Sequence, residues 1–211
     1  MAANRRTSLY ESAARQAAGR APAAGARPGP GDPGPAGIFC GRDLFGSDVI
    51  IRTALPAEFT DIGDIRVAAY QADGFLSAAS RYASTLRRLG TVGDGDILVA
   101  EEDGQLLGTI MLQPWPAGGE VVGGPDEAEI RALAVAPAGR RKGTGRALVH
   151  AVIDRAASSG VRHLVLCTMT TMHAAHRLYE QAGFSRLPER DWSPEPGVTL
   201  LVYGLVLPGQ Q

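Results

Sequence analysis

The sequence lacks the features that mark membrane, secreted and nucleic-acid-binding chains. It has no run of about eighteen apolar residues, so no membrane-spanning helix is expected. Arg5 and Arg6 stand near the start without an apolar stretch behind them, which argues against a secretory leader. Cysteine occurs twice, at Cys40 and Cys167, which suits a reduced, cytoplasmic protein better than a disulfide scaffold. Neither cysteine belongs to a cluster with metal-ligand spacing, so no metal is expected. The formal net charge is −1, without the basic excess of a nucleic-acid binder. There are no internal repeats.

Large apolar groups are also scarce at one end. From Ala17 to Gly41, nineteen of twenty-five residues are Ala, Gly or Pro. Such a stretch buries too little to offset its ordering entropy. Residues 1–46 are therefore expected to be a disordered arm and 48–208 a single domain.

That domain reads as alternating elements. DVIIRTA is a short β-branched strand. Pro56 opens a helix whose inner face is expected to carry Phe59, Ile62, Ile65, Val67 and Tyr70. SAASRYASTLRRL is a second helix. DILVAEED and QLLGTIMLQ flank Gly104 as a hairpin. EAEIRALAVAP is a strand stopped by Pro137, GRALVHAVIDRAASSG a helix, and VRHLVLCT a strand. HAAHRLYEQAG is a helix, FSRL begins a strand, and GVTLLVYGLVL closes the chain as an apolar strand. The order is β-α-α-β-β-β-α-β-α-β-β, an α/β fold with a mixed, mostly antiparallel sheet flanked by helices. The apolar last strand offers an edge for a homodimer.

RRKGTGR, residues 140–146, lies between the strand at 130–135 and the helix at 145–158. The first turn of a helix leaves backbone N–H groups unpaired, and the helix dipole adds positive character there. Glycines let phosphate oxygens approach those amides, and Arg140, Arg141, Lys142 and Arg146 add full charge. The spacing fits neither a Walker loop nor G-x-G-x-x-G. It describes a cradle for a phosphorylated ligand, and a nucleotide is one alternative.

The run LAVAPAGRRKGTGRALV resembles the core acetyl-CoA motif of the GNAT superfamily of acyltransferases. Arg140, Arg141, Lys142, Gly143, Thr144 and Gly145 follow Leu133, Ala134, Val135, Ala136 and Pro137, as in that signature. Ala175, Leu178, Tyr179, Gly183 and Phe184 match the family's A-x-x-L-Y-x-x-x-G-F segment. The resemblance covers 48–208. It departs at Met172, where many members carry an asparagine that contacts the cofactor arm.

The resemblance implies transfer of an acetyl group from acetyl-CoA to a primary amine, on a small molecule or a peptide, in a ternary complex. A non-catalytic acyl-CoA-binding module is the alternative. It further implies that the backbone of Leu133, Ala134 and Val135 pairs with the pantetheine arm as an added strand would. The amides of 141–146 would hold the pyrophosphate, an N–H near Val135 would bind the thioester oxygen, and Tyr179 would protonate the leaving thiolate. An ammonium with a pKa of about 10.4 must first lose a proton. Glu129 is the first candidate for that base and Glu127 the second, because alternation puts both on one strand face with Arg131. His173 and His176 lack further ligands and are expected to be solvated or capping. Acceptor choice is expected to fall to three loops: 70–82, the segment QPWPAGGEVVGGPDE, and LPERDWSPEPG with Glu189, Asp191, Trp192 and Glu195.

Overall fold

The computed structural model of the chain describes residues 49–208 apart from 78–79, 92–94 and 118. The Ala/Gly/Pro-rich arm at 1–46, with Cys40, lies outside the described residues.

Strand β1 (Ile50–Thr53) is followed by a 3-10 turn at Pro56–Glu58 and helix α1 (Phe59–Ala72). Helix α2 (Tyr82–Arg88) leads to β2 (Asp96–Glu102) and β3 (Gln105–Pro114). Next come β4 (Glu127–Val135), α3 (Thr144–Ser158), β5 (His163–Met169) and α4 (His173–Gln181). A two-residue β6 (Ser185–Arg186) and β7 (Leu200–Val206) close the chain. The β2–β3 turn forms at Asp103 and Gly104, both at positive φ, as a two-residue hairpin of matching twist requires.

The strands form one seven-stranded sheet in the order β1-β2-β3-β4-β5-β7-β6. Only β4 and β5 run parallel, because α3 crosses between them. Alternation along β2 and β3 splits the core in two. Leu98, Leu107, Ile110 and Leu112 pack with Leu148, Val149 and Val152 of α3. Ile97, Val99 and Met111 pack with Ile62 of α1 on the other face. Val67 joins Leu76 and Leu86 beside α2.

Two expectations need correction. The buried face of α1 carries Ile62, Gly63, Arg66, Val67 and Ala69, with Ile65 only half buried. An arginine therefore takes a core position that hydrophobic periodicity gives to an apolar residue. The last strand is not an edge either. β7 lies between β5 and β6, with Tyr203 and Gly204 paired to β6 and Leu200 bridged to Trp192. Periodicity marks a strand as apolar but cannot say which neighbours cover it.

β4 carries the irregularity that shapes the site. Thr109 pairs with Ala134 and Met111 with Arg131, so Ala132 and Leu133 together oppose Ile110. Ala132 takes φ +50 at this bulge. The bulge re-aims the strand, and pairing with β5 runs from Glu127↔His163 only to Ile130↔Leu166. Beyond that point the two parallel strands part.

Candidate active site

The parted strands leave one edge of β4 without a strand partner over 131–135. Ala136 N–H donates to Leu107 O at 2.8 Å. Backbone groups alternate sides along a strand, so the polar groups of Leu133 and Val135 face the gap while those of Ala134 face β3.

At the end of that edge a 3-10 turn at Pro137–Gly139 leads into the basic loop. Gly143 caps α3 with φ +79, a conformation that a side chain would strain. A Cβ on Gly145 would sit 3.5 Å from Leu178 and 3.6 Å from Val135, an ordinary contact. The amides of residues 141–146 have no hydrogen-bond partner among the described residues. Thr144 is buried and donates its hydroxyl to Gly139 O at 2.8 Å, so its side chain closes the loop while its amide stays available. Arg140 pairs with Asp73 at 2.9 Å and Lys142 with Glu102. Arg141 and Arg146 are exposed, with no acidic partner among the described residues. These free amides and cations, on the end of a free strand edge, suit a pyrophosphate with an extended arm.

The paired half of β4 carries the two candidate bases. Glu127 accepts from Arg190 at 2.8 and 2.9 Å, from Gly123 N at 2.6 Å, and lies 2.9 Å from His163 Nδ1. Arg190, with burial opposing and the Gly123 amide and His163 assisting, holds its carboxyl down to about 2. Glu127 is a tied structural anion. Glu129 is 1% exposed. Burial pushes its carboxyl up to about 7 against the attraction of Arg131, whose Nε lies 3.7 Å away. Its Oε2 accepts from Val121 N at 3.1 Å.

Sequence reasoning does not single out Glu120 or Cys167 as site residues. Arg131 Nη2 donates to Glu120 Oε1, and Cys167 Sγ donates to Glu120 Oε2 at 3.5 Å. One ligand atom each from Glu120, Glu129 and Cys167 fall within 4.8 Å of one another. Burial first, then Glu120 and Glu129, push the Cys167 thiol well up, so it stays protonated. Only the strand-face alternation of Arg131 with Glu129 hints at this cluster in the sequence.

Tyr179 lies on α4, packed edge-on to Phe184 at 5.8 Å and tilted against Tyr203 at 6.5 Å. It is 6% exposed, and its hydroxyl has no hydrogen-bond partner among the described residues. Burial, with Tyr70 and Cys167 nearby, holds its phenol well above the usual range, so it remains a proton donor. Met172 stands at the α4 N-terminus, and Thr168 Oγ1 approaches its sulfur at 3.3 Å. His176 contacts Met169 O at 3.0 Å while His173 is exposed, so both are surface or capping groups. The acidic loop is neutralised in part: Asp191 pairs with Arg186 at 2.7 Å and accepts from Val202 N at 2.8 Å. Its contribution to the β4 region is Arg190.

The Acetyltransferase (GNAT) family model matches residues 61–184, and the chain belongs to that family. Membership places it among the acyltransferases. The chain is 35% identical over 91 residues to the mycothiol acetyltransferase of Cellulomonas flavigena, a match spanning 42% of this chain and 26% of that protein. It is 28% identical over 127 residues to an uncharacterized N-acetyltransferase of Schizosaccharomyces pombe, covering 60% of this chain and 74% of the other. The chain thus spans about a quarter of the first relative's length and about three quarters of the second's. A Salmonella typhimurium protein described as an acetyltransferase, solved with its cofactor acetyl-CoA, shares the fold. Its TM-score is 0.57 at 24% identity, covering 78% of this chain and 97% of that one. Among the described residues no helix is long and apolar enough to cross a membrane.

Proposed function

We propose that the chain transfers the acetyl group of acetyl-CoA to an amine by direct attack within a ternary complex. The observation that carries this reading is the parting of β4 from β5 after Ile130, beside a loop whose amides at 141–146 are unpaired. The free β4 edge receives the pantetheine arm as an added strand would, through Leu133 and Val135. The amides of 141–146 and the cations of Arg141 and Arg146 receive the pyrophosphate.

The amine nitrogen attacks the thioester carbon. Its proton passes through water to Glu129, which is too buried to touch the amine directly. A carboxyl that ionises near 7 accepts a proton more readily than one that ionises near 4. Negative charge on the thioester oxygen meets the Val135 amide at the gap. The C–S bond then breaks, and Tyr179 gives its proton to the departing thiolate. Cys167 stays out of the chemistry as a protonated thiol.

Calorimetry with acetyl-CoA on wild type and on Gly143→Glu/Gly145→Glu tests the cradle, and thiol release with an amine panel tests the transfer. Binding in wild type that is lost in the variant, together with thiol release, is expected. Binding without thiol release for any amine would leave a non-catalytic acyl-CoA module.

A further inference from the structure

The wall between α1, α2 and β4 holds a buried cation without a carboxylate partner and donors without acceptors among the described residues. Arg66 of α1 is 1% exposed. Its Nη1 donates to Leu89 O at 2.8 Å and Leu86 O at 3.3 Å, at the C-terminal end of α2. Its Nε and Nη2 are buried without a partner among the described residues. A buried guanidinium left half-paired is costly, so such a group points to charge that it stabilises nearby. Arg131 is the second buried cation, and the two lie close enough for each charge to disfavour the other.

Tyr70 on α1 and Tyr82 on α2 pack with Ala132 of β4 around Val67, Leu76 and Leu86, and both lie within electrostatic reach of Arg131 and Glu120. Neither phenol has a hydrogen-bond partner among the described residues, and neither is among the fully occluded polar atoms. Burial keeps both protonated, so both are unspent donors. The acceptors facing them are few. Glu120 is engaged by Arg131 and Cys167, and Glu129 by Val121 N. Arg131 is answered by Glu120 and Glu129, so a wholly cationic acceptor would bring more donors and leave Arg66 without a counter-charge.

We propose that the acceptor amine also carries a carboxylate, as an amino acid does, and that the phenols of Tyr70 and Tyr82 receive this carboxylate in the field of Arg66 and Arg131. The amine end then lies toward Glu129, and the zwitterion matches both signs of the wall. Arg66 acts through space as a positioning charge, since its free nitrogens are enclosed. The inference rests on the acetyl-transfer reading and narrows its acceptor.

The test is thiol release from acetyl-CoA by the full chain with the standard amino acids, β-alanine and γ-aminobutyrate, each against its own carboxamide. A carboxylate bonded to phenols in a cationic field is worth about tenfold to hundredfold in kcat/KM. At least one acid is expected to exceed its carboxamide in kcat/KM by about tenfold or more. Tyr70→Phe and Tyr82→Phe, which keep the ring packing, are expected to lower that ratio about threefold or more with KM for acetyl-CoA unchanged. Arg66→Lys is expected to lower it less than Arg66→Met. Carboxamides equal to or better than the acids in every pair would overturn the proposal. So would acetylation of carboxylate-free amines alone, or bound acetyl-CoA with no acceptor turned over. Absence of acetyl-CoA binding would instead sink the underlying reading.

Discussion

The two halves of β4 share one strand and one sheet, yet they do opposite things. Residues 127–130 are paired on both sides, to β3 and to β5, and their acidic side chains are bound into the fold. Residues 131–135 are paired to β3 alone and present a bare edge. A single extra residue at Ala132 separates the halves. Full pairing fixes side chains, and loss of pairing on one edge exposes backbone for an extended ligand. A second contrast lies within the paired half, between Glu127 and Glu129. They lie two residues apart on one face, but Arg190 reaches the first while the 119–121 loop covers the second. One becomes an anion that titrates near 2, the other an acid that titrates near 7.

The largest expected effect comes from removing the proposed proton acceptor in the paired half. Glu129→Gln keeps an oxygen for the Val121 amide and is expected to lower kcat by about 10²- to 10⁴-fold. Steady-state kinetics should show KM for acetyl-CoA unchanged. In wild type the base works deprotonated, so log kcat/KM should rise with pH below about 7 and level off above it. The stability effect has the opposite sign. Because the folded carboxyl is raised above its unfolded value, ionising it costs stability as pH climbs from about 4.5 toward 7. In the variant both pH effects should vanish, and a rising limb that persisted would place the base elsewhere.

The free half is broken most directly at its end. Gly143→Ala places a side chain at φ +79 and is expected to cost about 1–2 kcal/mol, read by urea unfolding. Gly145→Ala should stay within about 0.5 kcal/mol and keep acetyl-CoA binding, since its Cβ meets only ordinary contacts. Equal losses at the two glycines would mean that the capping geometry does not distinguish them.

Glu127→Gln sharpens the contrast between the carboxylates. It should lower stability by about 1 kcal/mol, the scale of a partly exposed ion pair. The kinetic limb near 7 should not move. A folded pKa below the unfolded value contributes stability above about 4.5 that is lost as pH falls toward 2. Wild type and variant should therefore converge in acid melts. A shifted kinetic limb would assign Glu127 a part in the proton transfer.

Much of this was legible in the sequence because it is local. The hairpin turn at Gly104 and the strands β2 and β3 that flank it are read from neighbours along the chain. So is the strand–loop–helix context of RRKGTGR, and the family motifs rest on it. The parts that were not legible depend on distant segments. Arg66 is inside α1 because the end of α2 offers it two carbonyls. β7 is interior because a two-residue strand and Trp192 come to lie beside it.

The sequence by itself determined the order of elements, a basic glycine loop between a strand and a helix, and two carboxylates on one strand face. Only the tertiary structure gave those carboxylates different surroundings, and it added Glu120 and Cys167 to them. A carboxyl's readiness to hold a proton depends on whether water, a guanidinium or a loop lies against it. Those neighbours are residues 119–121, 163 and 190, and the fold alone brings them to β4.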